Sequence, residues 1–323
     1  PLSTGITYQL IPKASADGIP VHSMGYGRTS AANGKIFKWI FNYPTNYWNG
    51  ASIAVNHTLD LNGGDISGKS IALLYHNSAY GKEPIRTLEV LAEKHGFDLT
   101  LIAVDHPGQE QKSQWLQIRR EKPDYVFMWG WGVMNQVAIQ EAANIRYPME
   151  NFIGVWWSGA EADVLPAGDA ANGYKALAMN GVGTDYAIFD DIQKYLVDAG
   201  KESGAGDQIG TVLYNRTIYA GFLAHMAVLK AQEIHGVADI TSAMMRDGME
   251  NLVITEELMA EHGLAAFVPV FSVSCENLGG PRLPCVHLWY SSTWIFPLLS
   301  DFSSPDLFVI HPLIDAASPP FAS

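Results

Sequence analysis

The chain has 323 residues, of which 48% are apolar and 16% charged, with a formal net charge of −13 at neutral pH. Such a composition is that of a globular protein long enough for two lobes, each with its own core. The acidic balance offers no basic face for nucleic-acid phosphates, and no run of eighteen apolar residues is present to span a bilayer.

The chain opens at Pro1-Leu2-Ser3-Thr4-Gly5 with no basic region leading into an apolar stretch, so no signal peptide is visible. A helix is predicted over residues 7–16, a strand over 20–24, a glycine loop at Gly25-Tyr26-Gly27 and a strand over 37–41. These make half of a parallel sheet, and its first strand and crossover are expected before Pro1. Thr45 is placed to cap a helix over 46–61, which Asn62-Gly63-Gly64-Asp65 ends with turn chemistry.

The most regular stretch follows, between Gly68 and Gly159. Apolar runs at 71–75, 99–104, 125–129 and 152–157 alternate with helix-period segments, the pattern of a parallel sheet covered by helices. The first of those helices carries Ile85, Leu88, Leu91 and Ala92 on one stripe, with Lys82, Glu83, Glu89, Glu93 and Lys94 on the remaining, solvated face. A second helix runs over 111–120 and stops at Lys122-Pro123, and a third covers 134–145. Ligands of such sheets bind at the carboxyl ends of the strands. Those ends are rich in aromatic rings and short polar groups: His76 to Gly81, Trp129 to Gly132 and Val155 to Gly159.

A strand at 173–179 is expected to lead out of this unit. Helices then follow at 186–197, 214–235 and 240–249, with a soft linker at 200–206 between the first two. Small residues along the long helix (Ala220, Ala224, Ala227, Ala231) suit close packing on a sheet. Residues 267–274 and 286–289 read as a closing hairpin, and 303–323 as an irregular tail. Cys275 and Cys285 flank that hairpin turn, either as a disulfide or as two free thiols. Catalytic signatures are missing. Ser158 lies in Trp157-Ser158-Gly159 and not in a nucleophile elbow, no P-loop, H-E-x-x-H or paired C-x-x-C occurs, and the ten histidines lack metal-ligand spacing. Neither a catalytic residue nor a cofactor is assigned.

The order of elements, with Pro1-Leu2-Ser3-Thr4-Gly5, Tyr80-Gly81, Pro123-Asp124-Tyr125-Val126 and the segment from His106 to Leu116, resembles the type I periplasmic substrate-binding proteins of ABC importers, a family that includes the branched-chain amino-acid binders. The resemblance runs from Pro1 to about Phe302. It implies an α/β fold of two Rossmann-like lobes joined by three crossings, near Thr45, Asn180 and Cys275. Lobe one would comprise 1–45 and 181–275 and be incomplete at its start; lobe two would comprise 46–180 and 276–302. It also implies a periplasmic or membrane-tethered receptor that passes a small amino acid, organic acid or amide to ABC permease subunits. A ligand-responsive sensor of the same fold, without transport, is the alternative.

Site residues follow from the same resemblance. Ser3 and Thr4 match the hydroxyl position that grips a ligand carboxylate at a helix start, although both also suit a plain helix cap. Gly25, Tyr26 and Gly27 match the next binding loop, and Tyr80 the tyrosine that closes from lobe two. Alternation allows only one of each adjacent tryptophan pair to face the cleft, and Trp131 and Trp156 are assigned to it, with Trp129 and Trp157 left to the core. Where amino-acid binders place an acid for the ligand ammonium this chain has Trp156, which points to a ligand without an α-amine.

Overall fold

Period-two alternation between residues 70 and 178 becomes a sheet with two buried faces in the computed structural model, which describes residues 1–204, 206–268, 270–274, 285–290 and 293–295. The chain begins with α1 (Thr4–Asp17), β1 (Val21–His22), β2 (Ile40–Phe41) and α2 (Tyr47–Leu61). Next come β3 (Ser70–His76), α3 (Ala79–Lys82), α4 (Ile85–His95), β4 (Asp98–Val104), α5 (Lys112–Glu121), β5 (Tyr125–Trp129), α6 (Val133–Asn144), β6 (Phe152–Gly154), α7 (Glu161–Val164) and β7 (Lys175–Ala178). The remainder holds α8 (Ile188–Ile192), α9 (Val212–His235), α10 (Ser242–Glu250), β8 (Val253–Ile254), α11 (Glu256–Glu261), β9 (Phe271–Ser272), β10 (Cys285–Tyr290) and β11 (Thr293–Ile295).

The large sheet has the order β11-β10-β7-β6-β5-β3-β4. Its strands β4, β3, β5, β6 and β7 are parallel, and β10 and β11 add antiparallel pairs at one edge. On one face Ile71, Leu73, Phe127, Trp129, Ile153 and Leu177 pack against Ala51, Ala54 and Val55 of α2 and Leu88 and Leu91 of α4. The residues between them, Ala72, Leu74, Val126, Met128, Phe152 and Ala176, meet Trp115 and Ile118 of α5 and Ala138, Ile139 and Ala142 of α6. A strand flanked by helices on both sides must be apolar at every position, which is why all of β5 is buried.

A separate core joins Phe41 and Tyr43 to Tyr219, Phe222, Leu223 and Met226 of α9 and to Met249, Ile254 and Phe271, so the late helices cover the short strands that precede α2. These two packed bodies are the lobes of an α/β, two-lobed fold.

Several expectations are corrected. The cap of α2 is Asn46, whose Oδ1 accepts the Asn49 amide at 3.0 Å, and not Thr45. The strand expected at 173–179 is present as β7, beside β6 in the large sheet. Among the described residues, the two arms of the expected hairpin pair elsewhere: β9 with β8 and β10 with β7. Of the small residues of α9, Ala227 and Ala231 receive α10, where a side chain at Gly248 would collide with the Ala227 carbonyl, while other residues of α9 cover the short strands. Cys275, the tail and the Cys285 side chain lie outside what is described.

Candidate functional site

The connections from the adjacent strands β3 and β5 run in opposite directions, from β3 to β4 on one side and from β5 to β6 on the other. In an open parallel sheet this reversal parts the loops at the carboxyl ends and leaves a crevice. The crevice here is a cavity of about 180 Å³ lined by Leu2, Ser3, Thr4, Tyr26, Tyr47, His76, Ser78, Tyr80, Trp131 and Trp157. About 150 Å³ suffices for a molecule the size of benzene.

The wall from the sheet is set by local chain geometry. Ser78 caps α3 by accepting the Gly81 amide at 3.4 Å, and Gly81 must be glycine because any side chain would run into the His76 carbonyl. That tight turn aims Tyr80 across the sheet end, where its hydroxyl donates to the Gly130 carbonyl at 2.9 Å. Trp131 is 42% exposed and meets Trp157 edge-on with ring centroids 5.7 Å apart.

The opposite wall comes from the start of α1 and the 25–27 loop. Ser3 caps α1, taking the Ile6 amide at 3.4 Å, so the plain capping role is present. Thr4 Oγ1 accepts the Gly27 amide and donates to Tyr47 Oη, each at 3.4 Å. The Tyr26 ring stacks on Trp157 at 4.3 Å, and Trp157 Nε1 donates to Tyr47 Oη at 3.0 Å. Tyr47 is the hub: it contacts Tyr80 at 5.2 Å, stacks on Trp156 at 5.4 Å and is fully buried, which pushes its phenol well above the usual range.

The structure therefore brings Ser3, Thr4, Tyr26, Tyr80 and Trp131 to one cavity, but not Trp156, Gly25 or Gly27. Trp156 is fully buried beneath α2, against Gly50, and its Nε1 donates to the Gly25 carbonyl at 3.1 Å. Trp157 takes the cavity position. The period-two rule failed because β6 ends at Gly154 and residues 155–158 form a turn closed by the Ser158 amide on the Val155 carbonyl. Gly25 (φ +67°) and Gly27 allow close approach to Met179 and Trp156 and to Glu83 and Thr4, respectively. Tyr47, His76, Ser78 and Trp157 were not assigned from sequence, although Ser78 and His76 lie in the strand end that was singled out.

Electrostatics around the site come from buried groups just outside it. Glu83 is buried, accepts Tyr8 Oη of α1 in a short hydrogen bond and takes the Thr29 amide at 3.3 Å. Its burial raises the carboxyl pKa, against the pull of those two donors and of Arg28. Both oxygens of Glu161 accept the first amide of α9, Val212, at 3.1 and 3.2 Å. Arg216 of α9 is 5% exposed and lies 4.5 Å over the Trp157 ring.

Asp163 takes the Ala160 amide at 3.1 Å and Asn135 Nδ2 at 3.0 Å, yet burial lifts its pKa from 3.8 to about 6. Between those two pH values the folded protein keeps a proton that the unfolded chain has released, so this group makes stability fall as pH rises through the window. Asp163→Asn is expected to remove that slope. Melting curves from pH 4 to pH 7 that run parallel for the two proteins would show that Asp163 does not titrate in this range.

Residues 1–266 match the family described as periplasmic binding protein. A crystal structure titled as an ABC transporter permease from the Pseudomonas fluorescens group is 36% identical, with TM-score 0.91 over 97% of this chain and 76% of that one. A branched-chain amino-acid ABC transporter protein from Thermus thermophilus with bound valine shares 16% identity, with TM-score 0.77 over 97% and 78% of the two chains. A solute-binding protein of an ABC transporter from R. palustris in complex with benzoate also shares 16%, with TM-score 0.67 over 94% and 76%. Likeness at 16% identity speaks for the fold. No match was found among curated proteins.

Proposed function

The chain belongs to the periplasmic binding protein family, with the type I fold of the branched-chain amino-acid receptors of ABC importers, and from that premise we propose that it captures a small, largely apolar organic solute without an α-amine. The observation that carries this is the cavity at the sheet's switch point, walled by Tyr26, Tyr47, Tyr80, Trp131 and Trp157 and, among the described residues, lined by no carboxylate. A buried ammonium would have no anion to offset its desolvation there. Rings and short hydroxyls suit an apolar body with one polar end. Valine and benzoate, the ligands named for two structural neighbours, bracket the solute size and differ in the amine.

On this reading the start of α1 and the 25–27 loop hold the polar end, while Tyr80, Trp131 and Trp157 close over the apolar body. Binding stabilises the closed form, no bond of the solute is broken, and the loaded receptor docks on permease subunits outside the cytoplasmic membrane. Trp157 and Trp131 report occupancy directly. In a tryptophan-fluorescence titration benzoate or a short aliphatic amide is expected to saturate the signal, and leucine, valine and phenylalanine are not. Tight binding of the amino acids alone would mean that an ammonium site exists, and chemical conversion of any ligand would refute a pure receptor.

A further inference from the structure

Around Trp157 two buried polar groups have no hydrogen-bond partner among the described residues: Tyr26 Oη, and Nε, Nη1 and Nη2 of Arg216. Buried guanidinium groups are ordinarily paired and hydrogen-bonded, and an orphaned one calls for an explanation. Arg216 reaches over the Trp157 ring from α9, while Tyr26 stacks on the same ring from the 25–27 loop. Both aromatic rings line the cavity, whereas Arg216 does not line it and lies over the Trp157 ring.

The carboxylates whose charge Arg216 feels are Asp163 and Glu161, and their hydrogen bonds go elsewhere. Glu161 faces the Val212 amide, and Asp163 faces Asn135 and the Ala160 amide. Neither makes an ion pair with Arg216 within 4.0 Å. Burial lowers the guanidinium pKa only to about 10, so it remains a cation at neutral pH. Every orphaned atom here can donate, so what the cluster lacks is an acceptor. In a low-dielectric site a cation also favours an anion without direct contact.

We propose that Arg216, with the Tyr26 hydroxyl, makes the cavity selective for solutes whose polar end is a carboxylate, and so separates acids from amides of the same shape. This rests on the receptor reading above and narrows its solute class. Arg216 acts as a specificity-determining residue, and the apolar body of the acid packs among Trp157, Trp131 and Tyr80.

The test is isothermal titration of the protein with matched pairs, benzoate against benzamide and isovalerate against isovaleramide, repeated with Arg216→Gln, Arg216→Lys and Tyr26→Phe. The acids are expected to bind roughly tenfold or more tighter than their amides, as for a charge favoured by a nearby buried cation in a low-dielectric site. Arg216→Gln should bring that ratio close to one, and Arg216→Lys should keep part of it. If Arg216→Gln does not fold, the ratio is read from Arg216→Lys and Tyr26→Phe, and an unchanged ratio in both overturns the proposal. A purely structural arginine would weaken acid and amide equally in Arg216→Gln, which also overturns it. Amides that bind the parent protein as well as the acids do would sink this inference and leave the receptor reading standing. If no member of the panel binds, the receptor reading for apolar solutes falls, and this inference falls with it.

Discussion

Trp157→Ala is expected to weaken solute binding severely, and Trp156→Ala to destabilise the fold, although the two residues are adjacent and identical. Trp157 presents its ring to the cavity between Tyr26 and Trp131, so its loss removes one wall of the site. An anchoring aromatic of that kind is worth about 2–4 kcal/mol, or a rise of roughly 30- to 1000-fold in Kd. Trp156 stacks parallel to Tyr47, presses on Gly50 and bonds the Gly25 carbonyl, all out of solvent. Truncating so large a buried ring costs about 3–5 kcal/mol and lowers the melting temperature by about 10 °C. Trp157→Phe, which keeps an aromatic wall and loses the bond to Tyr47 and part of the surface under Arg216, should bind within about tenfold of the parent, since such a bond contributes about 1 kcal/mol. Fluorescence titration and thermal melts of the three variants decide the matter. Parent-like binding by Trp157→Ala, or a parent-like melt of Trp156→Ala, would reverse the assignment.

Glu83→Ala is expected to shift the lobes toward the open form and to weaken solute binding by roughly 10- to 100-fold, the range for a lost hydrogen bond to a charged group. The carboxylate stands between α3 and α4 on the large sheet's lobe, and its partners, Tyr8 and Thr29, belong to the body that begins with α1. Its removal leaves the partly exposed Tyr8 hydroxyl and the buried Thr29 amide without that acceptor, and both regain water when the lobes part. Solution scattering of the solute-free variant should give a larger radius of gyration, and Glu83→Gln, which retains an acceptor oxygen, should recover part of the affinity. A scattering profile and a Kd equal to the parent's would show that Glu83 does not hold the lobes together.

Much of this architecture was legible from residue order. Alternating apolar runs identified the parallel sheet, and in the structure their odd and even positions face different helices. Ser3 was read as a cap or a ligand contact, and it caps α1 while also lining the cavity. Periodic reasoning broke down where regular structure stops. Glu83 was placed on the solvated face of a continuous helix, but that helix is interrupted at Glu83-Pro84, which turns the carboxylate inward toward Tyr8. Tyr47 was counted merely as an early residue of α2, since nothing local distinguishes a core tyrosine from one whose hydroxyl joins Thr4 to Trp157.

By itself, then, the sequence determined the fold class, the strands whose carboxyl ends line the candidate cavity and the aromatic, short-polar character of those ends, because these follow from hydrophobic period and from residues a few positions apart. Only the tertiary structure decided that Trp157 and not Trp156 faces the cavity, that Glu83 ties α1 to the sheet's lobe, and that Arg216, 59 positions beyond Trp157, lies over its ring. Those facts depend on turns after strand ends and on contacts between distant segments, where side-chain direction is set by packing against another part of the chain and leaves no period to read.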